Sequence, residues 1–287
     1  MLRPVTTRLT VTDHDRDAAG LTYVYPVVSR RAGGVSVGIN LNPNNACNWR
    51  CVYCQVPELV KGAAPPIDED RLEAELRGML GEARREAWLA QHVADPAHRQ
   101  LVDVAFSGNG EPTTSHQLDS IVARVLVVLD ELGLGGLHKV LITNGSMMHR
   151  AEVLRAVERL GAAGGEVWLK LDRATAEGRR RYNDAASSID AARQGLRACA
   201  ARCRTRIQTC MLAIDDEPPP EDELRAYLDF LAEEREAGTP LADVLLYGLA
   251  RPSMQPDGQR LSPLPVAWLE AFAERIRGVG LAVVVRP

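Results

Sequence analysis

No run of about 18 apolar residues occurs anywhere in the 287-residue chain, which excludes a membrane-spanning helix of ordinary length. The opening stretch, MLRPVTTRLTVTDHDRD, has no apolar core of the kind a secretory signal needs, so the expected compartment is a reducing cytoplasm. Internal repeats and low-complexity tracts are also missing. Charge of neither sign dominates: the net value of −4 gives no overall pull toward nucleic acid. No cysteine precedes Cys47 and no second C-x2-C pair exists, so the usual cysteine half of a second zinc half-site is lacking. In a reducing compartment the six cysteines (47, 51, 54, 199, 203, 210) read as metal ligands, catalytic groups or buried small hydrophobes rather than disulfides.

What is present is a regular alternation. Apolar, β-rich runs begin at residues 35, 101, 138, 165, 206, 243 and 281, and amphipathic helical patterns fill 68–92, 116–132, 148–161, 187–203, 221–236 and 265–278. Strand alternating with helix predicts a parallel sheet with right-handed crossovers. The expected fold is α/β, a partial (β/α)6-type TIM barrel of parallel strands spanning 35–287, preceded by an N-terminal hairpin extension over 1–34. The hairpin is carried by TYVYPVVSRRAGGVSVG. DDEPPPEDE (215–223) reads as a loop entering a helix, because the alternation continues unchanged beyond it.

Chemistry in parallel α/β folds collects at the carboxyl ends of the strands, and the unusual polar sequences fall there. NACNWRCVYC follows strand one, SGNGEPTTS strand two and TNGS strand three; KLD ends strand four and ARPS follows strand six. The cysteine spacing is C-x3-C-x2-C, three thiolates without a fourth ligand. Zinc is one reading, but structural zinc takes four ligands. A 4Fe-4S cluster on three cysteines leaves one iron open to an external ligand, and thiolates suit iron–sulfur chemistry.

CNWRCVYC resembles the cysteine motif of the radical S-adenosylmethionine superfamily. Together with PVVSRRAGGVSVGINL, FSGNGEPT, LITNGS, WLKLD, IQTCML and YGLARPS it is similar to the iron–sulfur oxidoreductase group related to 4-demethylwyosine synthase, over roughly 20–287. The resemblance implies one 4Fe-4S cluster on Cys47, Cys51 and Cys54, with S-adenosylmethionine chelating the open iron. It also implies an external one-electron reductant such as flavodoxin or ferredoxin, and a 5′-deoxyadenosyl radical that removes hydrogen from substrate. By the same resemblance Tyr53 borders the adenine. Backbone groups at Gly108, Asn109 and Gly110, with Glu111, are expected to receive the cofactor's ammonium; the family's G-G-E-P reads G-N-G-E-P here.

Residue by residue, blander readings stand beside these. T-N-G after a strand is an ordinary turn signal, so Asn144 is a cofactor candidate with a structural alternative. Lys170 and Asp172 share a strand face, as do Gln208 and Cys210, so each pair is expected to point inward unless the first is a plain salt bridge. Lys170, Asp172 and Cys210 are the catalytic candidates; Lys170, Gln208 and Arg251 are candidates for cofactor contact, Arg251 as an anion holder. Cys199 and Cys203, one helical turn apart at the far end of the barrel, are expected to be buried hydrophobes rather than a second cluster with Cys210. His116 reads as a solvated loop histidine.

The function expected is radical chemistry on a small-molecule substrate. Modification of an RNA base is the alternative, and an iron–sulfur regulatory or electron-transfer protein a further one. Residues 173–206 carry nine arginines against Glu177, Asp184 and Asp190, locally +6, a possible phosphate surface or simply a solvated helical face.

Overall fold

A computed structural model of the chain describes residue 9, residues 20–29 and residues 33–286. One eight-stranded sheet organises it, with neighbours in chain order. The strands are β1 (Val24–Ser29), β2 (Gly34–Ile39), β3 (Leu101–Phe106), β4 (His138–Thr143), β5 (Glu166–Lys170), β6 (Arg204–Cys210), β7 (Leu241–Tyr247) and β8 (Val283–Arg286). β1 and β2 form the expected antiparallel hairpin, and every later pairing is parallel. Among the described residues β1 and β8 are both edges, so the barrel they form is partial and open along that seam.

Helices α1 (Glu69–Leu80), α2 (Glu82–His92), α3 (Leu118–Glu131), α4 (Ala151–Ala162), α5 (Ala176–Asn183), α6 (Ile189–Ala200), α7 (Glu221–Glu236) and α8 (Val266–Gly278) supply the crossovers. The pattern expected over 68–92 is two helices, because Gly81 leaves the helical region between them (ψ 132°). α5 has no counterpart among the expected elements. Thr175 caps it by accepting from the Gly178 amide, and it ends at Asp184 in the left-handed region (φ 49°). Among the described residues no helix is long and apolar enough to cross a membrane.

The period of two along each strand sorts its side chains. Val37, Ile39, Val104, Phe106, Leu141, Val167, Leu169, Ile207, Val244 and Leu246 turn outward and join the helices in one large apolar core. Ser36, Asp103, Ala105, Val140, Ile142, Trp168, Lys170, Gln208, Cys210 and Tyr247 turn inward and line a cavity of about 370 Å³. The inner face is therefore half polar. Its floor is an ion network in which Arg206 grips Asp243 (2.6 and 2.7 Å) and reaches Glu166 (3.4 Å).

Candidate functional site

The cysteine loop leaves β2 and stands over the cavity mouth. Asn40 turns the chain: its Oδ1 accepts from the amides of Asn42 and Asn109, both at 3.0 Å. Asn42 Nδ2 then donates to the Ala46 carbonyl (2.9 Å), and Ala46–Cys47 pairs in parallel with Val60–Lys61. Cys51 and Cys54 close a turn through the Cys54 amide and the Cys51 carbonyl (3.0 Å).

Three neighbours hold this loop. The first is the glycine turn after β3. A Cβ on Gly108 would lie 2.3 Å from Asn40 Oδ1, and one on Gly110 would lie 2.0 Å from the Ala46 carbonyl. Both glycines permit close approach of the cysteine loop itself. Asn109 Nδ2 donates to Asn45 Oδ1 (2.7 Å). The second is α5: the amides of Arg50 and Val52 donate to the carbonyls of Asn183 and Tyr182, both at 2.9 Å. The third is the segment after β7. Ser253 Oγ donates to the Val52 carbonyl (2.6 Å), the Met254 amide to the Cys54 carbonyl (2.9 Å) and Gln255 Nε2 to the Val56 carbonyl (2.9 Å).

Cys47, Cys51 and Cys54 are half-buried, and all three line the same cavity. Burial first, then the Glu111 charge, pushes the Cys47 thiol up to about 11. Burial pushes Cys51 up to about 12 against the opposing pull of Lys170. Such thiols stay protonated at neutral pH until a metal displaces the proton. Among the described residues no group of three or more His, Cys, Asp or Glu side chains closes on a single point, as one tetrahedral ion would require. Three thiols around a shared space, with no fourth ligand, fit a cluster in which each thiolate takes a different iron.

Asp172 is the hub behind them. Its Oδ2 accepts from Tyr53 Oη (2.5 Å) and Asn183 Nδ2 (2.7 Å), and its Oδ1 from the Cys210 amide (2.7 Å). Asn183 Nδ2 also donates to Cys51 Sγ (3.3 Å). Lys170 Nζ donates to Tyr247 Oη (3.2 Å) and stands 4.9 Å from the Tyr53 ring centroid. Burial works against its ammonium, but Tyr247, Asp172, Cys51 and Cys210 outweigh burial and raise it above the ordinary lysine value. Burial likewise raises the Cys210 thiol and the Tyr53 hydroxyl, with Asp172 adding to both.

Glu111 is tied differently from the expectation of an open acceptor. Its carboxylate takes four hydrogen bonds, from the Thr113 amide (3.0 Å) and hydroxyl (2.6 Å), Thr143 Oγ1 (2.6 Å) and the Asn144 amide (2.6 Å). It joins the loops after β3 and β4, and burial raises it above the usual carboxylate value. Asn144 Nδ2 continues the chain to Asn48 Oδ1 (2.8 Å), within the cysteine loop.

Of the expected residues, Tyr53, Gly108, Asn109, Gly110, Glu111, Asn144, Lys170, Gln208, Cys210 and Arg251 line the cavity with the three cysteines, and Asp172 sits just behind its wall. Cys199 and Cys203 belong to the outer core, where Thr205 Oγ1 donates to Cys199 Sγ and Cys203 Sγ to the Gly165 carbonyl, both at 3.4 Å. His116 is exposed on Arg150 and Glu152. Sequence reasoning missed Asn183, Ser253 and Gln255. Ser253 was within reach, since it closes ARPS; Asn183 sits on the helix that was not expected.

The family model described as the Radical SAM superfamily matches residues 41–231, about two thirds of the chain. The fold is similar to that of TYW1 with a lysine-pyruvate adduct bound, at TM-score 0.54 and 13% identity over 94% of this chain and 79% of that one. It is also similar to a radical SAM methyltransferase from Sphaerobacter thermophilus, at TM-score 0.56 and 14% identity over 92% and 68%. A 131-residue stretch, 45% of the chain, is 29% identical to a protein named GTPase Obg from Brachyspira hyodysenteriae, of which it spans only 16%. None of the three lysines here follows a glycine, so the G-K-[ST] of a phosphate-binding loop has no counterpart. Cysteine spacing, parallel barrel and family match agree: the chain belongs to the Radical SAM superfamily, enzymes that bind a 4Fe-4S cluster and S-adenosylmethionine.

Proposed function

We propose that the chain acts on a small molecule held inside the barrel, from which it removes a hydrogen atom. The observation that carries this reading is the partly open cavity of about 370 Å³ that the three cysteines share with the inward face of the sheet, a volume on the scale of small-molecule sites. Cys47, Cys51 and Cys54 hold the cluster. When bound, cluster and S-adenosylmethionine supply a 5′-deoxyadenosyl radical, the electron coming from an external flavodoxin- or ferredoxin-type donor.

The chain's own residues orient and exclude water. Backbone groups at Gly108, Asn109 and Gly110 present the polar edge beside the loop. Glu111 acts at one remove, because its hydrogen bonds fix Asn144 and so the loop. Asp172, which accepts from Tyr53, Asn183 and the Cys210 amide, acts as a positioning group. Lys170 offers a positive charge to the cavity, Cys210 a neutral thiol, and Arg251 a cation at its mouth.

The arginine-rich segment supports the same choice over RNA. Arg173 and Arg179 are buried, the former 3.8 Å from the Tyr182 ring centroid. Arg193 and Arg197 pair with Glu234, Arg204 with Glu166 and Arg206 with Asp243. Arg180, Arg181, Arg197, Arg202 and Arg204 are exposed, but acids already hold Arg197 and Arg204, which weakens the segment as a phosphate-tracking surface.

Anaerobic reconstitution tests the reading. About four irons and four sulfides per chain are expected, lost when Cys47, Cys51 and Cys54 are replaced together by Ala. Under strong reduction the protein should release 5′-deoxyadenosine, with no increase when total tRNA is added. Stoichiometric zinc without sulfide would refute the cluster assignment, and saturable, salt-sensitive tRNA binding that accelerates cofactor cleavage would move RNA into first place.

A further inference from the structure

A charged side chain taken out of water is costly to hold unless an opposite charge or a full set of hydrogen bonds meets it. Arg206 is met by Asp243 and Glu166, Arg193 by Glu233 and Glu234, and Arg150 by Glu152. Arg179 is not met. It is 2% exposed, and of its five N–H groups one donates, to Ser187 Oγ (2.9 Å), while Nε has no partner. Among the described residues no carboxylate pairs with it, and the acid whose charge reaches it, Asp172, already accepts from Tyr53, Asn183 and the Cys210 amide. Lys170 draws on the same acid and Arg173 donates to its carbonyl (2.6 Å), so three cations gather about one carboxylate.

The place of this unmet charge is specific. Arg179 lies on the buried face of α5 with Gly178, Tyr182 and Asn183, and Asn183, one helical turn on, donates to Cys51 Sγ (3.3 Å). The guanidinium stands 5.4 Å from the ring centroid of Trp49, which lies between Cys47 and Cys51 in the sequence. Trp49 lines the cavity and Arg179 does not, so Arg179 backs the cysteine loop from outside the space where a ligand would sit. The loop itself can supply the missing charge. Ligation turns the thiols of Cys47, Cys51 and Cys54 into thiolates, and an iron–sulfur group on three thiolates is net anionic and becomes more so on accepting an electron.

We propose that Arg179 is a buried counter-charge for the loaded cysteine loop, a positioning residue that raises the cluster's potential by favouring its reduced, more negative form. Without the cluster the same guanidinium is a charge buried against nothing, and its removal relieves the protein. With the cluster it faces an anion. This rests on the cluster assignment above and adds the residue that sets how readily the electron is accepted.

The test compares full-length wild type, Arg179→Met, which keeps the bulk and drops the charge, and Arg179→Lys, which keeps the charge. Wild type is first reconstituted anaerobically and shown to hold iron and sulfide; failure at that stage removes the cluster assignment itself. Urea unfolding of the iron-free proteins comes next. Iron-free Arg179→Met should have a midpoint at or above that of wild type, because an unpaired buried charge has gone. In an EPR-monitored redox titration of the loaded proteins, Arg179→Met should hold about tenfold less reduced cluster, relative to oxidised, at the wild-type midpoint, one unit charge acting through a partly polar interior being worth about that factor. For one electron that is a potential about 59 mV lower. Arg179→Lys should stay near wild type. Loss of iron from Arg179→Met alone, with Arg179→Lys still loaded, supports the same reading. A lower urea midpoint or a failure to fold in iron-free Arg179→Met would make Arg179 a structural residue and overturn the proposal, as would an unchanged potential at full iron content, or a lysine variant that matches the methionine one.

Discussion

Asn183 uses one buried amide group for two tasks, a hydrogen bond to the Cys51 sulfur and another to the Asp172 carboxylate. Hydrogen bonds to ligating sulfurs draw electron density from a cluster and raise its potential. Asn183→Leu keeps the volume and removes both donors, so the potential of the reconstituted cluster should fall by about 40 mV, the one-electron equivalent of ~1 kcal/mol. An EPR-monitored redox titration reads this directly, and an unchanged potential at full iron content would leave Asn183 a merely structural residue. At this scale the sequence announced the ligands and hid their supports. C-x3-C-x2-C is a spacing, readable as such, and FSGNGEPT and WLKLD stand out as polar strand ends. Asn183 is one asparagine among many, and its importance comes from a fold that brings residue 183 against residue 51. Glu111 shows the reverse, a residue noticed for its motif whose carboxylate is bound by the chain's own threonines and Asn144.

Elements with strong periodicity were legible. β4 was expected at 138–143 and α7 at 221–236, and both have those bounds. α5 was not, because AEGRRRYN has three consecutive arginines, a glycine and no apolar stripe, and it helixes through its Thr175 cap and its packing beneath the cysteine loop. In the glycine turn after β3, the atoms that would crowd a side chain at Gly108 and Gly110 are Asn40 and the Ala46 carbonyl. Gly110→Ala therefore sets a methyl against backbone that is pinned by the Ala46–Val60 pairing. Overpacking of this kind costs about 1–3 kcal/mol. The variant should show a lower urea midpoint and bind substoichiometric iron, because relief comes most easily by displacing the cysteine loop. Wild-type iron content together with wild-type stability would show that the loop yields without cost.

Net charge, the quantity most easily taken from the whole sequence, predicted least about the whole molecule. Summing residues 173–206 gave +6, but strand–helix alternation sends six of those nine arginines to the core, to α7 or to the barrel floor, and sequence-distant acids meet four of them. The floor has a measurable consequence. Glu166 on β5 is 3% exposed and receives Trp168 Nε1 (2.6 Å), Arg204 (3.3 Å), Arg206 (3.4 Å) and His138 (3.4 Å), so it joins β4, β5 and β6, and Arg206 extends the link to Asp243 on β7. Burial opposes its charge, but the His138 and Trp168 hydrogen bonds and the His138 and Arg206 charges prevail, holding it at about 2 against an ordinary 4.5. A carboxyl depressed on folding contributes stability that is complete above the unfolded value and disappears as pH falls through the folded one. The window is therefore about pH 4.5 down to 2, with at most about 3 kcal/mol at stake. His138, raised by the same carboxylate, contributes on the other side: its share is full below its ordinary 6.5 and fades as pH rises through its folded value. Urea unfolding of wild type and Glu166→Gln, repeated from pH 7 to pH 2, should show the two curves furthest apart near pH 5, where both groups contribute, and converging toward pH 2 as Glu166 protonates. Subtracting one curve from the other removes every other titrating acid, so parallel curves across that window would mean that the floor network does not bind the four strands together.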